Sequence, residues 1–126
     1  MKKSALAVAA LLATSAPAFA ATWIVTEENL GGVKGAQGNW NVKTEGGKIS
    51  GDASMQMDNG SLLTYKFTGE AEGANYTITL TDRTDGKKGC VWKGHPPASG
   101  GQQARGLVGY AECDGAKLIL RASIVE

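Results

Sequence analysis

The sequence has few of the residues on which most catalytic and metal sites depend. Its 126 residues include one histidine and two cysteines. A catalytic nucleophile needs a base within hydrogen-bond reach, usually histidine, and no Gly-x-Ser-x-Gly motif is present. Zinc prefers several Cys or His ligands, and the Cys-x-x-Cys-His, EF-hand and phosphate-loop patterns are also missing. The adjacent carboxylates of Glu27 and Glu28 are interpreted as a solvated strand end rather than a catalytic pair. We therefore expect no enzyme, no metal site and no cofactor.

An excess of charge of one sign is missing as well. The formal net charge at pH 7 is +1, and the basic residues do not gather into a stripe. Proteins that bind nucleic acid usually carry such a basic footprint. This balance excludes nucleic acid as an expected partner.

A long apolar run occurs only at the start of the chain. Two lysines precede the apolar residues 5–13, and Ala18-Phe19-Ala20 is an A-x-A cleavage pattern. This order is typical of a secretory signal peptide. We expect residues 1–20 to be removed and residues 21–126 to form one domain, periplasmic or secreted, without a membrane anchor. Loss of Lys2 and Lys3 lowers the 13 basic residues to 11 against 12 acidic ones, a net charge of −1.

The two cysteines are Cys90 and Cys113. In an exported chain a pair of cysteines is expected to form a disulfide, because the compartment is oxidising. A redox-active pair is the alternative, but catalytic thiols usually lie in Cys-x-x-Cys at the start of a helix. The wide spacing favours a structural disulfide.

Alternation of apolar and polar residues with a period of two dominates the rest of the chain, and Gly, Asn and Asp turns separate the alternating runs. Sequential strands joined by short turns pair as an antiparallel meander, and closure removes the exposed edges. The pattern predicts an all-β fold, a single small up-and-down β-barrel of about eight strands, with a two-sheet sandwich as the alternative. The predicted strands are Thr22–Glu27, Asn39–Thr44, Lys48–Met57, Leu62–Ala71, Tyr76–Arg83, Lys88–His95, Arg105–Cys113 and Lys117–Val125.

Small residues recur on the faces predicted to point inward. They are Gly51, Ala53, Gly69, Ala71, Gly109 and Ala111. Such residues permit strong strand coiling and leave room for large neighbours such as Trp40, Tyr65 and Phe67. We therefore expect a narrow, filled barrel rather than a roomy cup.

Gly38-Asn39-Trp40 opens the first confidently predicted barrel strand, and Arg121 lies in the last one. This combination resembles the calycins, the group of lipocalins, avidins and related bacterial barrels. The resemblance implies that Arg121 stacks across the Trp40 ring, that the Trp23 strand completes the barrel, and that the function is non-catalytic binding. The alternative is that Trp40 is a core residue and Arg121 simply faces solvent.

The longest interruption after Trp40 runs from Lys93 to Ala104, inside the loop that Cys90 and Cys113 would close. A disulfide at the base of this ribbon, together with two prolines, would lower the entropy lost on docking to a partner. If the loop is functional, the binding residues are Lys93, His95, Pro96 and Pro97. The alternatives are an ordinary hairpin loop and, for His95, a surface or packing role.

The segment from Leu30 to Gly38 holds four glycines and suits a mobile connector. Residues 21–28 before it are either an eighth strand or a free arm. In size the chain resembles secreted barrel inhibitors of bacterial proteases, in which an N-terminal arm occupies the enzyme cleft. Those inhibitors carry their disulfide nearer the start of the chain.

The sequence thus leads us to expect an exported, non-catalytic barrel that contacts another protein through loops at its rim, for example as a hydrolase inhibitor. The alternative is a calycin-type carrier of a small apolar ligand. The small inward residues favour the first function, because they argue against a large cavity.

Overall fold

The computed structural model describes residues 19–97 and 106–125, all of them in strands and their connections. Residues 1–18, which hold most of the predicted signal peptide, lie outside the described residues. So do residues 98–105, which comprise the second part of the predicted binding loop and the first residue of the predicted strand after it. The strands are β1 (Phe19–Glu28), β2 (Lys34–Glu45), β3 (Lys48–Met57), β4 (Leu62–Glu72), β5 (Asn75–Thr81), β6 (Cys90–Gly94), β7 (Gly106–Cys113) and β8 (Ala116–Val125).

The eight strands form a closed barrel in which each strand pairs antiparallel with its chain neighbours. β1 closes the barrel between β2 and β8, with Trp23 opposite Trp40 on one side and Ile124 on the other. The predicted up-and-down barrel is confirmed, and residues 21–28 are its first strand rather than a free arm. Closure pairs both sides of every strand, which removes the edges that an open meander would expose.

One correction concerns the predicted connector from Leu30 to Gly38. Residues 34–38 belong to β2, and the turn before them is tied by Asn29, whose Oδ1 accepts hydrogen bonds from the backbone N–H groups of Gly31 and Val33 at 2.8 and 3.0 Å. The prediction was wrong because only two of the four glycines lie in the turn, and the other two lie within β2. The β1–β2 register shifts between Glu27 and Glu28, where β2 holds one extra residue.

Four connections lie at one end of the barrel, β1–β2, β3–β4, β5–β6 and β7–β8. We call this the disulfide end, because Cys90 begins β6, Cys113 ends β7, and the two form the predicted disulfide. The connection from β6 to β7 lies at the opposite end. The disulfide therefore lies at the base of this hairpin, three residues and about 10 Å before the predicted binding loop begins at Lys93. The predicted effect of the disulfide on the loop stays a prediction.

The interior is filled by side chains. Trp40 lies at its centre, stacked on Phe67 with ring centroids 4.3 Å apart and on Trp23 at 6.0 Å, and edge-on to Trp92 at 5.5 Å. Small residues make room for these rings, since Ala53 and Ala111 are buried beside them. The predicted narrow, filled barrel is what the structure contains.

Candidate functional site

A buried polar cluster closes the disulfide end of the barrel. Glu27 continues the inward row of Trp23 and Val25 on β1 and is only 5% exposed, while Arg83 from the β5–β6 connection is 7% exposed. Arg83 donates from Nη1 to Glu27 Oε2 at 3.0 Å and from Nη2 to Asp85 Oδ2 at 2.7 Å. The cluster plugs the barrel with paired charges rather than leaving a mouth there.

The cluster continues into the aromatic core. Trp40 Nε1 donates to the Tyr65 hydroxyl at 2.9 Å, and that hydroxyl donates to Glu27 Oε2 at 3.3 Å. The Arg83 guanidinium lies 4.9 Å from the centroid of the Tyr65 ring. Within the described residues, every buried side-chain nitrogen and oxygen has a hydrogen-bond partner.

The pKa shifts in this cluster follow from its contacts. Hydrogen bonds from Arg83 lower the pKa of Asp85 from 3.8 to about 2. Burial raises the pKa of the Tyr65 hydroxyl above its usual range, so it stays a donor. Burial alone would lower the pKa of Arg83, but its bonds to Asp85 and Glu27 outweigh that and raise it.

Two sequence interpretations fail here. Glu27 was expected to be a solvated strand end, yet it is buried and paired. Its spacing from Trp23 and Val25 was the signal, because every second strand residue shares a face. Arg121 was expected to stack on Trp40, but it lies on the outer face, half exposed, and donates to Glu28 Oε2 at 3.0 Å. The alternative interpretation of that pair, a core tryptophan and a solvent-facing arginine, is the correct one.

The predicted binding residues lie at the other end and on the outside. Lys93 lies on the outer face of β6, and His95, one residue beyond the end of this strand, is also exposed. Pro96 is exposed, and Pro97 is half-buried. His95 pairs with Val108 through two backbone hydrogen bonds of 3.0 and 2.8 Å, and its Nδ1 lies 3.0 Å from the Pro96 carbonyl oxygen. These two hydrogen bonds fix the backbone of His95, just before the prolines of the loop.

Two of these residues belong to a larger surface depression of about 310 Å³. We call it the Tyr110 patch, and it consists of Val91, Lys93, His95, Tyr110, Glu112 and Lys117. Tyr110 is 57% exposed, and Lys117 Nζ lies 5.4 Å from its ring centroid. Two lysines and a histidine surround an exposed aromatic ring, with Glu112 as the one acid in the patch. Tyr110 and Lys117 were missed because they lie on strands that were interpreted only as barrel wall.

Three further observations concern metal binding, membrane-spanning helices and the cellular compartment. In residues 19–97 and 106–125, no three or more His, Cys, Asp or Glu side chains are arranged to hold a metal ion. No helix in the same residues is long and apolar enough to cross a membrane. The disulfide is of the kind that persists in oxidising compartments.

Comparison with known proteins supports the fold. No family model matches the chain, and no curated protein matches it. A solved structure that does match is a designed protein whose title describes a de novo fluorescence-activating β-barrel. The TM-score is 0.57 at 13% identity, and the match covers 84% of this chain and 91% of the designed one. This chain is therefore similar to a small β-barrel, and the likeness does not distinguish the calycins from other barrels.

Proposed function

We propose that the protein is an exported, non-catalytic β-barrel that binds another protein through the Tyr110 patch and the loop that begins at His95. The observation that carries this proposal is the position of Tyr110, a largely exposed aromatic ring between Lys93 and Lys117. Tyrosine is enriched at the centres of protein interfaces, where its ring buries much area at low entropic cost.

The charge of the patch indicates what the partner surface offers. Lys93 and Lys117 outnumber Glu112, and Lys117 lies opposite Glu112 across β7 and β8 with its Nζ 5.4 Å from the Tyr110 ring centroid. An acidic surface beside an apolar or aromatic side chain is therefore the complement of this patch. An acidic segment of a hydrolase fits this description, which keeps an inhibitor role as the specific form of the proposal.

Export is the second part of the proposal. Cleavage after Ala20 would remove the two β1 residues that pair with Thr44 and Lys43, but pairing with β8 begins only at Thr22. The mature barrel would therefore stay closed. A distant relation to the calycins is proposed at the level of topology alone, since Arg121 does not fulfil the role that the resemblance assigned to it.

A small apolar ligand is the second candidate function, favoured by the likeness to a barrel whose title describes fluorescence activation. In this chain, a ligand would have to displace rings such as Trp40 and Phe67, because they occupy the interior. Because a ligand would have to displace these rings, we favour protein binding over ligand binding.

Site-specific photo-crosslinking tests the protein-binding function. A photoreactive phenylalanine at Tyr110 is compared with one at Thr68, an exposed position on the outer face of β4. We expect a protein adduct in the native compartment from position 110 alone, and its loss when Lys93→Glu and Lys117→Glu are added. Equal labelling from both positions, or none from position 110, would contradict the proposal.

A further inference from the structure

A groove crosses the outer wall of the barrel over β2 and β3, and β7 with its Tyr110 lies four strands away from β3. The groove has a volume of about 510 Å³, and Gly60 of the β3–β4 connection lies at one end of it. This volume is within the range of sites that bind small molecules. Because the groove is on the outside, a ligand there leaves the packed interior undisturbed.

Four uncharged polar side chains form a block in the groove. Gln37 lies directly opposite Gln56 on the paired strands, and Asn39 lies directly opposite Ser54. All four residues are exposed. Opposite residues are about 5 Å apart across the strands, and alternate residues are about 7 Å apart along one strand. The block therefore has about the area of a single sugar ring with its hydroxyl groups.

Aliphatic side chains flank this block at two diagonal corners. Ile24 of β1 pairs with Asn39, and Leu62 of β4 pairs with Gln56. Ile24 is 51% exposed and Leu62 is 67% exposed, and both line the groove. They provide apolar contact for the C–H groups of a ligand whose hydroxyl groups reach the amides.

The floor of the groove is part of the barrel wall. Gly38 and Met55 lie opposite each other between the two polar pairs, and the Met55 side chain is buried in the core. A Cβ at position 38 would meet Ser54 O and the Cα of Met55, so glycine is what allows this close approach of β2 to β3. A site built on paired strands is already formed before a ligand arrives, which lowers the entropy lost on binding.

The lining residues determine which chemistry the groove accepts. None of the nine described residues that line it is charged, so a charged ligand group would lose water without gaining a partner of opposite sign. None of the nine is aromatic, so a nucleobase would have no ring on which to stack. Both sides of β2 and β3 are paired in the closed barrel, so an extended peptide has no strand edge to which it could add.

We propose that this groove binds a neutral saccharide. Sugar hydroxyl groups donate and accept hydrogen bonds, and the amides of Gln37, Asn39 and Gln56 and the hydroxyl of Ser54 do the same. The ring of the sugar carries C–H groups as well, which match the two aliphatic corners. A ligand with hydroxyl groups all round an uncharged ring is therefore the chemical complement of the groove.

Hydrogen bonds within the protein leave these groups available. Lys34 Nζ donates to Gln37 Oε1 at 2.7 Å, which leaves the Gln37 Nε2 as a donor. The next amide along the outer face of β2, Asn41, lies outside the groove and donates from Nδ2 to Asp52 Oδ1 at 3.1 Å. Asn41 is thus occupied by a neighbour on β3, and it serves as a control for the amides of the groove.

The groove covers one side of a sugar ring, so we expect weak binding. A hexose has about twelve non-hydrogen atoms, and at the usual binding energy per atom this corresponds to a dissociation constant of about 1 mM or higher. A complex this weak dissociates when the protein is diluted, so it has to be tested at high sugar concentration.

An NMR titration of the isotope-labelled mature protein tests the proposal. The probes are the methyl glycosides of glucose, galactose and mannose, each added to well above the expected dissociation constant. We expect at least one of them to shift the side-chain amide signals of Gln37, Asn39 and Gln56 in a saturable way and to leave the Tyr110 signals unchanged. The corresponding uronic acid, which carries a carboxylate on the same ring, should bind at least ~10-fold more weakly.

A matched pair of variants shows whether the groove is the site. Asn39→Leu combined with Gln56→Met removes two amides at similar side-chain size, and we expect the affinity to fall at least ~10-fold. Asn41→Leu should bind like the wild type, and melting curves verify that each variant keeps its fold. The proposal is overturned by no saturable shift with any of the three glycosides, by equal binding of the uronic acid, or by equal affinity in the double variant and in Asn41→Leu.

Discussion

Arg83 is an enclosed cation whose partners come from distant parts of the chain. Its side chain is 1% exposed and bridges Glu27 of β1 to Asp85 of its own connection. Burial of such charges is tolerated only because each has a partner. Asp82, the residue before it, has a positive φ of 58°. The chain therefore changes direction immediately before Arg83, whose side chain is buried at the end of the barrel.

Replacement of Arg83 should therefore be costly. In Arg83→Met the carboxylate of Glu27 stays buried without its cation, and we expect a loss of about 3–5 kcal/mol in the free energy of unfolding, measured in urea. Arg121→Met is the matched control, because it breaks the half-exposed pair with Glu28 and should cost less than about 1 kcal/mol. Equal losses in the two variants would show that the buried cluster is not a structural plug.

Asp85 makes stability depend on acid pH. Its carboxyl has a pKa of about 2 in the folded protein against 3.8 without partners, because Arg83 bonds to the charged form. A lowered folded pKa adds stability above the unfolded value and loses it as the pH falls through the folded one.

We accordingly expect the free energy of unfolding to fall between about pH 4 and pH 2, with a gentler fall in Asp85→Asn. Urea titrations at closely spaced pH values provide the measurement. The same slope in both proteins would rule out Asp85 as the responsible group.

Among the strands, several glycines mark places where two backbones come close. A Cβ added at Gly38 would meet Ser54 O and the Cα of Met55, and one at Gly109 would meet Lys93 O. Such positions let strands bend tightly enough to close a small barrel. Gly35, in the same strand as Gly38, has open space where its Cβ would be.

The pair Gly38→Ala and Gly35→Ala isolates this effect. We expect the first to lose about 1–3 kcal/mol in the free energy of unfolding, because the strands must separate. The second should change it by less than about 0.5 kcal/mol. Chemical denaturation of both proteins is the measurement, and similar values would show that close approach at Gly38 does not matter.

Strand pattern and turn chemistry carried most of the fold prediction. β3 was predicted to the residue, because polar and apolar positions alternate throughout Lys48–Met57 and turns flank it. The prediction failed where a residue type is common both in loops and within strands. Glycines in β2 were interpreted as a connector, and Glu27 was interpreted by its charge rather than by its place in an inward row. The partner of a buried charge depends on tertiary contacts, so Arg83 could not be assigned from local pattern.

The candidate sites were less predictable than the fold. Lys93 and His95 were singled out from the loop that follows them, and they do share a surface depression. Tyr110 and Lys117 join Lys93 and His95 only once the strand register is known, since neighbours across strands are distant in sequence. Such surfaces cannot be predicted from a single sequence, because the cross-strand register is not known from it.

At the scale of the whole molecule, the barrel interior is filled, so the proposed binding takes place on the outer surface. The interior holds stacked rings, the disulfide end is plugged by paired charges, and exposed aromatic and aliphatic residues lie on two separate faces. The proposed partner surface at Tyr110 therefore lies outside the barrel, away from its packed interior. Its exposed residues can be changed without disturbing the core, which lets the proposed binding be tested apart from stability.

Native mass spectrometry of the protein recovered gently from its own compartment tests most directly whether binding occurs outside the barrel. We predict a complex with a protein-sized partner that is lost in a variant carrying Lys93→Glu and Lys117→Glu. We predict no adduct of small-molecule mass. A bound small molecule of a few hundred daltons, retained in that variant, would place the ligand in the barrel and contradict the account.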